Sequence, residues 1–196
     1  MTITTVLFDL DGVIRHFHPD VVSDIERRHG IAPGTIEGFA FSAPLLHEVT
    51  TGKLRRAEWV DRIARHLGDA APAEEWSRQP YTVDAEMIEL ADELRARGLR
   101  IAILTNGTDT IPAEAEHMGL HGHFDAVFNS AEIGHAKPDE RAFRAVLDAF
   151  ELGPLEVFFT DDSPGKLAGA EALGITTHLY TGISGLRRAL QSHGTL

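Results

Sequence analysis

The hydrophobic positions of this chain fall into two patterns. Short apolar runs, typical of buried strands in a parallel sheet, occur at residues 4–9, 100–104, 126–128, 156–160 and 175–180. From residue 84 onward these runs alternate with segments of helical spacing, at residues 84–97, 109–118, 139–150, 164–173 and 184–190. Alternating strands and helices predict an α/β fold, in which right-handed crossovers join the strands of a parallel sheet.

Residues 14–82 break this alternation, because no strand-like run is found among them. Their clearest helix is predicted at residues 54–67, where apolar side chains recur at helical spacing and Gly68 follows as a stop signal. Shorter helices are predicted at residues 20–29, with Asp20 as N-cap, at 33–41 and 44–49, and near residue 71. The pattern predicts an all-helical insert at residues 14–82, and a core formed by residues 1–13 and 83–196.

The residues that could carry chemistry follow the predicted strands. They are Asp9 and Asp11 after the first strand, Thr105 and Asn106 after the second, Lys137 past a further strand, and Asp161 and Asp162 after the next. The carboxyl ends of parallel strands share one edge, where open α/β sheets bind ligands. Carboxylates as close together as Asp9 and Asp11 repel each other unless a cation lies between them. We therefore expect a hard divalent metal and an anionic substrate at this edge.

This set of side chains is suited to phosphoryl transfer. Mg²⁺ prefers oxygen ligands, which Asp9, Asp162 and the main-chain carbonyl of Asp11 could supply. One carboxylate could attack phosphorus and form an aspartyl-phosphate. A second carboxyl, two residues on, could protonate the leaving oxygen and then deprotonate the hydrolytic water. Lys137 would offset the negative charge, and Thr105 would donate to a phosphate oxygen.

Four motifs resemble those of the haloacid dehalogenase superfamily of phosphohydrolases in order and spacing. They are FDLDGV (8–13), LTN (104–106), HAKPD (135–139) and FFTDDS (158–163). The resemblance implies a Rossmann-like, three-layer core and a small helical cap that corresponds to the insert. It also implies Asp9 as the nucleophile and Asp11 as the general acid and base.

The same resemblance implies the ligands of the site. The phosphoryl group would be bound by Thr105, Asn106 and Lys137, and Mg²⁺ by Asp9, Asp11, Asp162 and Asp161, the last directly or through water. The segment FFTDDSPGKLAGAEALGI is similar to that of sugar-phosphate phosphatases such as glucose-1-phosphate phosphatase. One departure is Lys166, which stands where many relatives carry Asn or Asp; it is either a surface residue or extra positive charge at the mouth of the site.

The amino-acid composition excludes several classes of function. A net charge of −12 argues against non-specific binding to nucleic acid or to an anionic membrane. The chain has no cysteine, which excludes a thiol nucleophile. It shows no leader pattern and no 18-residue apolar run, so we expect a cytoplasmic protein acting on a small phosphorylated metabolite. Only three of its 18 basic residues are lysines, Lys53, Lys137 and Lys166. Its oligomeric state is not indicated.

Three other functions stay open. A 2-haloacid dehalogenase would use the same fold without a metal, although Asp11 argues against it because a halide leaving group needs no acid. A phosphomutase would return the phosphoryl group instead of releasing it, and the sequence of the cap does not decide this. A non-catalytic binding module would be expected to have lost one of the acids or Lys137, and none is lost.

Overall fold

A computed structural model of the protein describes residues 2–196. The strands of this part are β1 (Thr5–Phe8), β2 (Arg15–Phe17), β3 (Tyr81–Val83), β4 (Arg100–Thr105), β5 (Ala126–Asn129), β6 (Val157–Asp161) and β7 (Thr176–Leu179). Five of them form a sheet in the order β5-β4-β1-β6-β7, and every pairing in it is parallel. The predicted α/β fold with a parallel sheet is therefore confirmed.

The first strand, β1, occupies the centre of this sheet, and every residue in it is buried. Side chains alternate between the two faces of a strand. Val6 and Phe8 pack on one face, against helices α6 (Ala85–Ala96), α7 (Ile111–His117) and α11 (Ile183–Ser192). Leu7 packs on the other, against α9 (Glu140–Phe150) and α10 (Pro164–Leu173). Helices on both faces give the three layers that the resemblance implied.

Residues 21–77 contain five further helices with an apolar cluster of their own. They are α1 (Val21–Arg28), α2 (Thr35–Ala40), α3 (Ala43–Thr50), α4 (Arg56–Leu67) and α5 (Ala70–Ser77). Trp59 and Ile63 of α4 pack with Trp76 of α5 at the centre of this cluster. We call these five helices the cap. None of the helices in the described part of the chain is long and apolar enough to span a membrane.

The expectation of an all-helical insert is wrong at its two ends. Strands β2 and β3 pair antiparallel, with Arg15 opposite Val83 and Phe17 opposite Tyr81. Each strand has only three residues, which is too short for a recognisable alternation of apolar and polar positions. The ribbon exists because its two segments, about 65 residues apart in the chain, meet where the cap joins the core.

Local signals placed most helix ends within a few residues. Asp84 and Asp139 cap α6 and α9 by accepting hydrogen bonds from main-chain N–H groups. Asp20 stands at the N-cap position of α1, but its side chain makes no capping hydrogen bond. The four-residue helix α8 (Ser130–Ile133) was not predicted, because it is too short to show a period.

A partly buried ion-pair network joins the cap to the core. The Glu114 carboxylate of α7 accepts from Nη1 of Arg15 at 2.6 Å and lies 3.6 Å from Nη1 of Arg56, the first residue of α4. Thr110 also donates to Glu114, at 2.6 Å. Burial alone would raise the pKa of Glu114, but these hydrogen bonds and the two guanidinium charges hold it below its ordinary value of 4.5.

We expect the variant Glu114→Gln to lose roughly 1–3 kcal/mol of unfolding free energy at pH 7, since hydrogen bonds to charged groups contribute about that much. A lowered pKa stabilises the fold above the ordinary value and loses that effect as pH falls. The difference from the wild type should therefore shrink below about pH 4.5. Urea unfolding at pH 7 and pH 4 measures it.

Glu48→Gln is a matched control, because among the described residues Glu48 forms its one ion pair with the exposed Arg62 inside the cap. It should cost less than about 0.5 kcal/mol at either pH. An equal loss for both variants would contradict the role given to the Glu114 network.

Candidate active site

Two buried carboxylates lie side by side at the carboxyl edge of the sheet. Asp9 follows β1 and Asp161 ends β6, and the two residues are 1% and 0% exposed. The Asp9 main-chain N–H donates to the carbonyl of Thr160 at 2.9 Å, which continues the pairing of the two strands up to this point. Because β1 and β6 are adjacent and parallel, residues about 150 positions apart meet here.

The ammonium group of Lys137 offsets the negative charge of these two carboxylates. Its Nζ lies 2.9 Å from Oδ1 of Asp9 and 2.7 Å from Oδ2 of Asp161, and its side chain is 0% exposed. A buried carboxylate without a partner costs several kcal/mol, so these three groups depend on one another. Burial would raise the pKa of Asp9, but Lys137 and then Lys166 hold it below its usual range. Burial, together with the neighbouring Asp9 charge, keeps the pKa of Asp161 above its usual range despite Lys137.

Asp162 completes a cluster of three acids that could hold a metal ion. Asp9, Asp161 and Asp162 each offer a carboxylate oxygen, and these oxygens lie within 4.8 Å of one another. Gly12 packs against them with a φ of 86°, and a Cβ at this position would overlap the carboxylate of Asp162. The backbone of the first motif therefore leaves space for this side chain. Three hard oxygen donors at such spacing fit Mg²⁺.

Asp11 lies outside this cluster and is held by an arginine. Nε of Arg15 donates to Oδ1 of Asp11 at 2.5 Å, and Nη2 donates to Oδ2 at 3.0 Å. The guanidinium of Arg15 also lies 5.0 Å from the ring centre of Phe17. Burial would lower the pKa of Arg15, but Asp11 and Glu114 raise it above its usual value. The contact of Arg15 with Glu114 could not be derived from the sequence, because the two residues are 99 positions apart.

The side chain of Asn106 fastens the loop that carries Lys137. Its Nδ2 donates to the carbonyl of Lys137 at 2.9 Å, and its Oδ1 accepts from the Lys137 N–H at 2.8 Å. Thr105 is buried at the end of β4, directly before Asn106. The sequence suggested Asn106 as a residue that binds the phosphoryl group. The structure adds a positioning function for its amide.

Lys166 lies against the buried acids. Its Nζ is 3.4 Å from Oδ2 of Asp9 and 4.0 Å from Oδ1 of Asp161. Burial would lower its pKa, but Asp9, Asp161 and Asp162 raise it above its usual value. Of the two alternatives that the sequence left open, the structure favours added positive charge at the site. This ammonium stands close to the oxygens that a metal ion would use.

Two cavities occupy the cleft between the cap and the core. The aromatic cavity, of about 420 Å³, borders Asp11 and Arg15 and is lined by Phe41, Trp59, Trp76 and Tyr81. The basic cavity, of about 770 Å³, borders Lys137 and Lys166. Asn106, Phe41, Leu46 and Thr50 line both cavities. A ligand that reaches Lys137 could therefore extend in either direction beneath α3.

A family model described as a haloacid dehalogenase-like hydrolase matches residues 3–174, a range that contains every predicted site residue. The chain belongs to this family. The resemblance inferred from the four motifs is thereby confirmed. Asp9, Asp161, Asp162 and Lys137, which come from three of those motifs, converge on one spot in the structure. Of the remaining predicted residues, Asn106 is hydrogen-bonded to Lys137, and Thr105 directly precedes Asn106 at the end of β4. Asp11 borders the aromatic cavity, where Arg15 holds it.

Three curated relatives of this chain carry phosphatase names. A phosphatase from Mycobacterium tuberculosis is 31% identical over 198 residues, which cover 91% of this chain and 88% of that protein. A phosphoserine phosphatase from Thermus thermophilus is 35% identical, over 73% of this chain and 57% of that protein. A ribulose-1,5-bisphosphate 5-phosphatase from Halopiger xanaduensis is 38% identical, over 68% and 54%. The matched segment thus spans little more than half of the last two proteins.

Solved structures share the fold. A predicted HAD-like hydrolase from Porphyromonas gingivalis has a TM-score of 0.79 at 24% identity, over 97% of this chain and 99% of that chain. A HAD family enzyme from Bacteroides thetaiotaomicron, determined in complex with magnesium and inorganic phosphate, has a TM-score of 0.74 at 24% identity, over 93% and 96%. At this level of identity the likeness shows the architecture of cap and core.

We expect Gly12→Ala to weaken Mg²⁺ binding, because the new methyl group would displace the Asp162 carboxylate. Gly30→Ala is a matched control. Gly30 also has a positive φ, 66°, but a Cβ there would meet nothing within 4 Å. Both variants carry the backbone cost of about 1–2 kcal/mol for a left-handed residue. Isothermal titration calorimetry with Mg²⁺ should separate them, and equal affinities would contradict the placement of Asp162 in a metal site.

We expect Lys166→Met to tighten Mg²⁺ binding by about tenfold. Its ammonium repels a divalent cation held by Asp9 and Asp161, and like charges about 4 Å apart interact by up to several kcal/mol at a partly exposed site. The metal-free variant should also unfold at a lower temperature than the metal-free wild type. Calorimetry and thermal denaturation with EDTA measure the two effects.

Lys53→Met is the control for Lys166→Met, because Lys53 forms no ion pair with any of the described residues. Its Mg²⁺ affinity should equal that of the wild type. Weaker Mg²⁺ binding in Lys166→Met would show instead that Lys166 helps to assemble the three acids.

Proposed function

We propose that this hydrolase is a Mg²⁺-dependent phosphatase. It cleaves a small phosphorylated metabolite, such as a sugar phosphate, through an aspartyl-phosphate on Asp9. The observation that carries the proposal is the ionised, buried carboxylate of Asp9, which lies between Lys137 and two further acids. A nucleophile must be deprotonated, and its charge must be balanced when an anionic phosphate approaches. The phosphatase names of the relatives and the magnesium and phosphate bound by the Bacteroides enzyme support it.

In the first step, an oxygen of Asp9 forms a bond to phosphorus and the ester oxygen leaves. Asp11 donates a proton to the leaving oxygen, and Lys137 stabilises the added negative charge together with the N–H and hydroxyl donors at Thr105 and Asn106. Asp9, Asp161 and Asp162 would hold Mg²⁺, and its positive charge would stabilise the negative charge on the phosphoryl oxygens.

In the second step, water attacks phosphorus and the bond to Asp9 breaks. Asp11, now deprotonated, takes the proton of that water, and phosphate and the free Asp9 carboxylate result. Arg15 positions the Asp11 carboxylate at the border of the aromatic cavity through two hydrogen bonds. Glu114 in turn holds Arg15.

We expect Asp9→Asn to abolish phosphate release, with a loss of at least about 10³-fold, because an amide cannot form the covalent intermediate. The assay is hydrolysis of p-nitrophenyl phosphate with Mg²⁺, followed by a panel of phosphorylated metabolites that includes glucose 1-phosphate. EDTA should silence the wild type, and added Mg²⁺ should restore it.

Asp24→Asn is the control for this variant, since Asp24 is an exposed residue of α1 that pairs with Arg27. It should retain full activity. Full activity of Asp9→Asn would refute the assignment of the nucleophile. Chloride release from a 2-haloacid without Mg²⁺ would identify a dehalogenase. Formation of an isomerised sugar phosphate would identify a mutase. The absence of turnover across the panel would identify a binding module.

A further inference from the structure

The lysines of this chain are concentrated at one place. The sequence contains only three, and Lys53, Lys137 and Lys166 all line the basic cavity. Arg141, His47 and His135 line it as well, and Asp139 is its one acidic lining residue. The protein as a whole carries a net charge of −12. The lining of this cavity is mostly basic although the protein is acidic overall, so the cavity attracts anions.

Most of the cations in the basic cavity already have acidic partners. Lys137 and Lys166 face Asp9 and Asp161. Arg141 binds Asp139 at 2.6 Å, and this contact lowers the pKa of Asp139 to about 2. Lys53 is different, because it forms no ion pair with any described residue although it lines the same cavity. It is the cation that is left to bind an anion from outside.

The loop that carries Lys53 is fixed against the core. Gly52, directly before it, adopts a φ of 73°, and a Cβ there would overlap the carbonyl oxygen of Ala131 in α8. The Lys53 N–H donates to the carbonyl of Glu48 at 2.9 Å, at the end of α3. The backbone at Lys53 is thus held on the cap side of the cleft, across from the core loop of residues 134–139 that forms the other wall of the basic cavity.

We propose that the basic cavity binds a second anionic group of the substrate, a carboxylate or a second phosphate, through Lys53. This inference rests on the proposed phosphatase function and names its substrate class. The phosphoryl group that is cleaved occupies the site beside Lys137, and the rest of the substrate extends beneath α3 into the cavity of about 770 Å³. Phosphate esters with a neutral end lack a partner for Lys53 and are poorer substrates.

The experiment compares matched esters that differ in one anionic group. These are 3-phosphoglycerate against glycerol 3-phosphate for a carboxylate, and fructose 1,6-bisphosphate against fructose 6-phosphate for a phosphate. For at least one pair, the wild type should favour the doubly anionic member by tenfold or more in kcat/KM. Lys53→Met should remove most of this preference through a higher KM, and Lys53→Arg should restore it.

Two control measurements distinguish anion binding at Lys53 from an effect on the hydrolytic reaction itself. Lys53→Met should hydrolyse p-nitrophenyl phosphate and glycerol 3-phosphate within about twofold of the wild-type rate. Arg144→Met removes a surface cation that pairs with Glu140 on α9, and it should change neither kind of ester. Equal kcat/KM values within both pairs, with Lys53→Met unchanged, would overturn the inference and leave the phosphatase proposal intact.

Binding decides the same question without turnover. In the Asp9→Asn protein loaded with Mg²⁺, calorimetry should show at least tenfold tighter binding of the doubly anionic ester of a pair. The addition of Lys53→Met to Asp9→Asn should abolish that difference. If no ester is hydrolysed by the wild type, the phosphatase proposal fails, and the binding comparison still supports or refutes the anion subsite.

Discussion

The charge balance among Asp9, Asp161 and Lys137 is the constraint on which the rest of the site depends. Two carboxylates with almost no solvent exposure share one buried ammonium, and the removal of Lys137 would leave both carboxylates buried without this partner. Asp162 and Lys166 add one further charge of each sign at the rim. The carboxylates still outnumber the ammonium groups. A divalent cation would reverse that excess, so that a phosphate dianion is attracted to the site only when the metal is bound.

The topology of the sheet makes this charge cluster possible, and it could be predicted from the sequence. β1 is buried on both faces and therefore central, so Asp9 at its end has neighbours from strands on either side. Apolar runs interrupted by polar residues marked where strands end, and parallel strands place those ends at one edge. That logic is independent of the loops between the strands. It explains why the convergence of Asp9, Asp161 and Asp162 could be predicted. Lys137 lies in a loop beyond α8, and its place in the site was indicated by its motif.

The contacts that position these residues could not be predicted, because each depends on packing between distant segments. The β2–β3 ribbon arises only when the two ends of the cap insertion meet. Arg15 is an ordinary basic residue until α7 places Glu114 beside it. The amide of Asn106 supports Lys137 only because the loop of residues 134–139 lies next to the end of β4. Such roles have no periodicity or local spacing from which they could be derived.

The same network that holds Asp11 also contacts the cap. Glu114 contacts Arg15, which grips Asp11, and it contacts Arg56, which begins α4 of the cap. Arg56 is further tied to the core because its N–H donates to Asp109 at 2.7 Å. One carboxylate, that of Glu114, therefore takes part both in positioning Arg15 beside Asp11 and in seating the first turn of α4 on the core. The position of Asp11 and the position of the cap depend on the same ion-pair network, so they are not independent of each other.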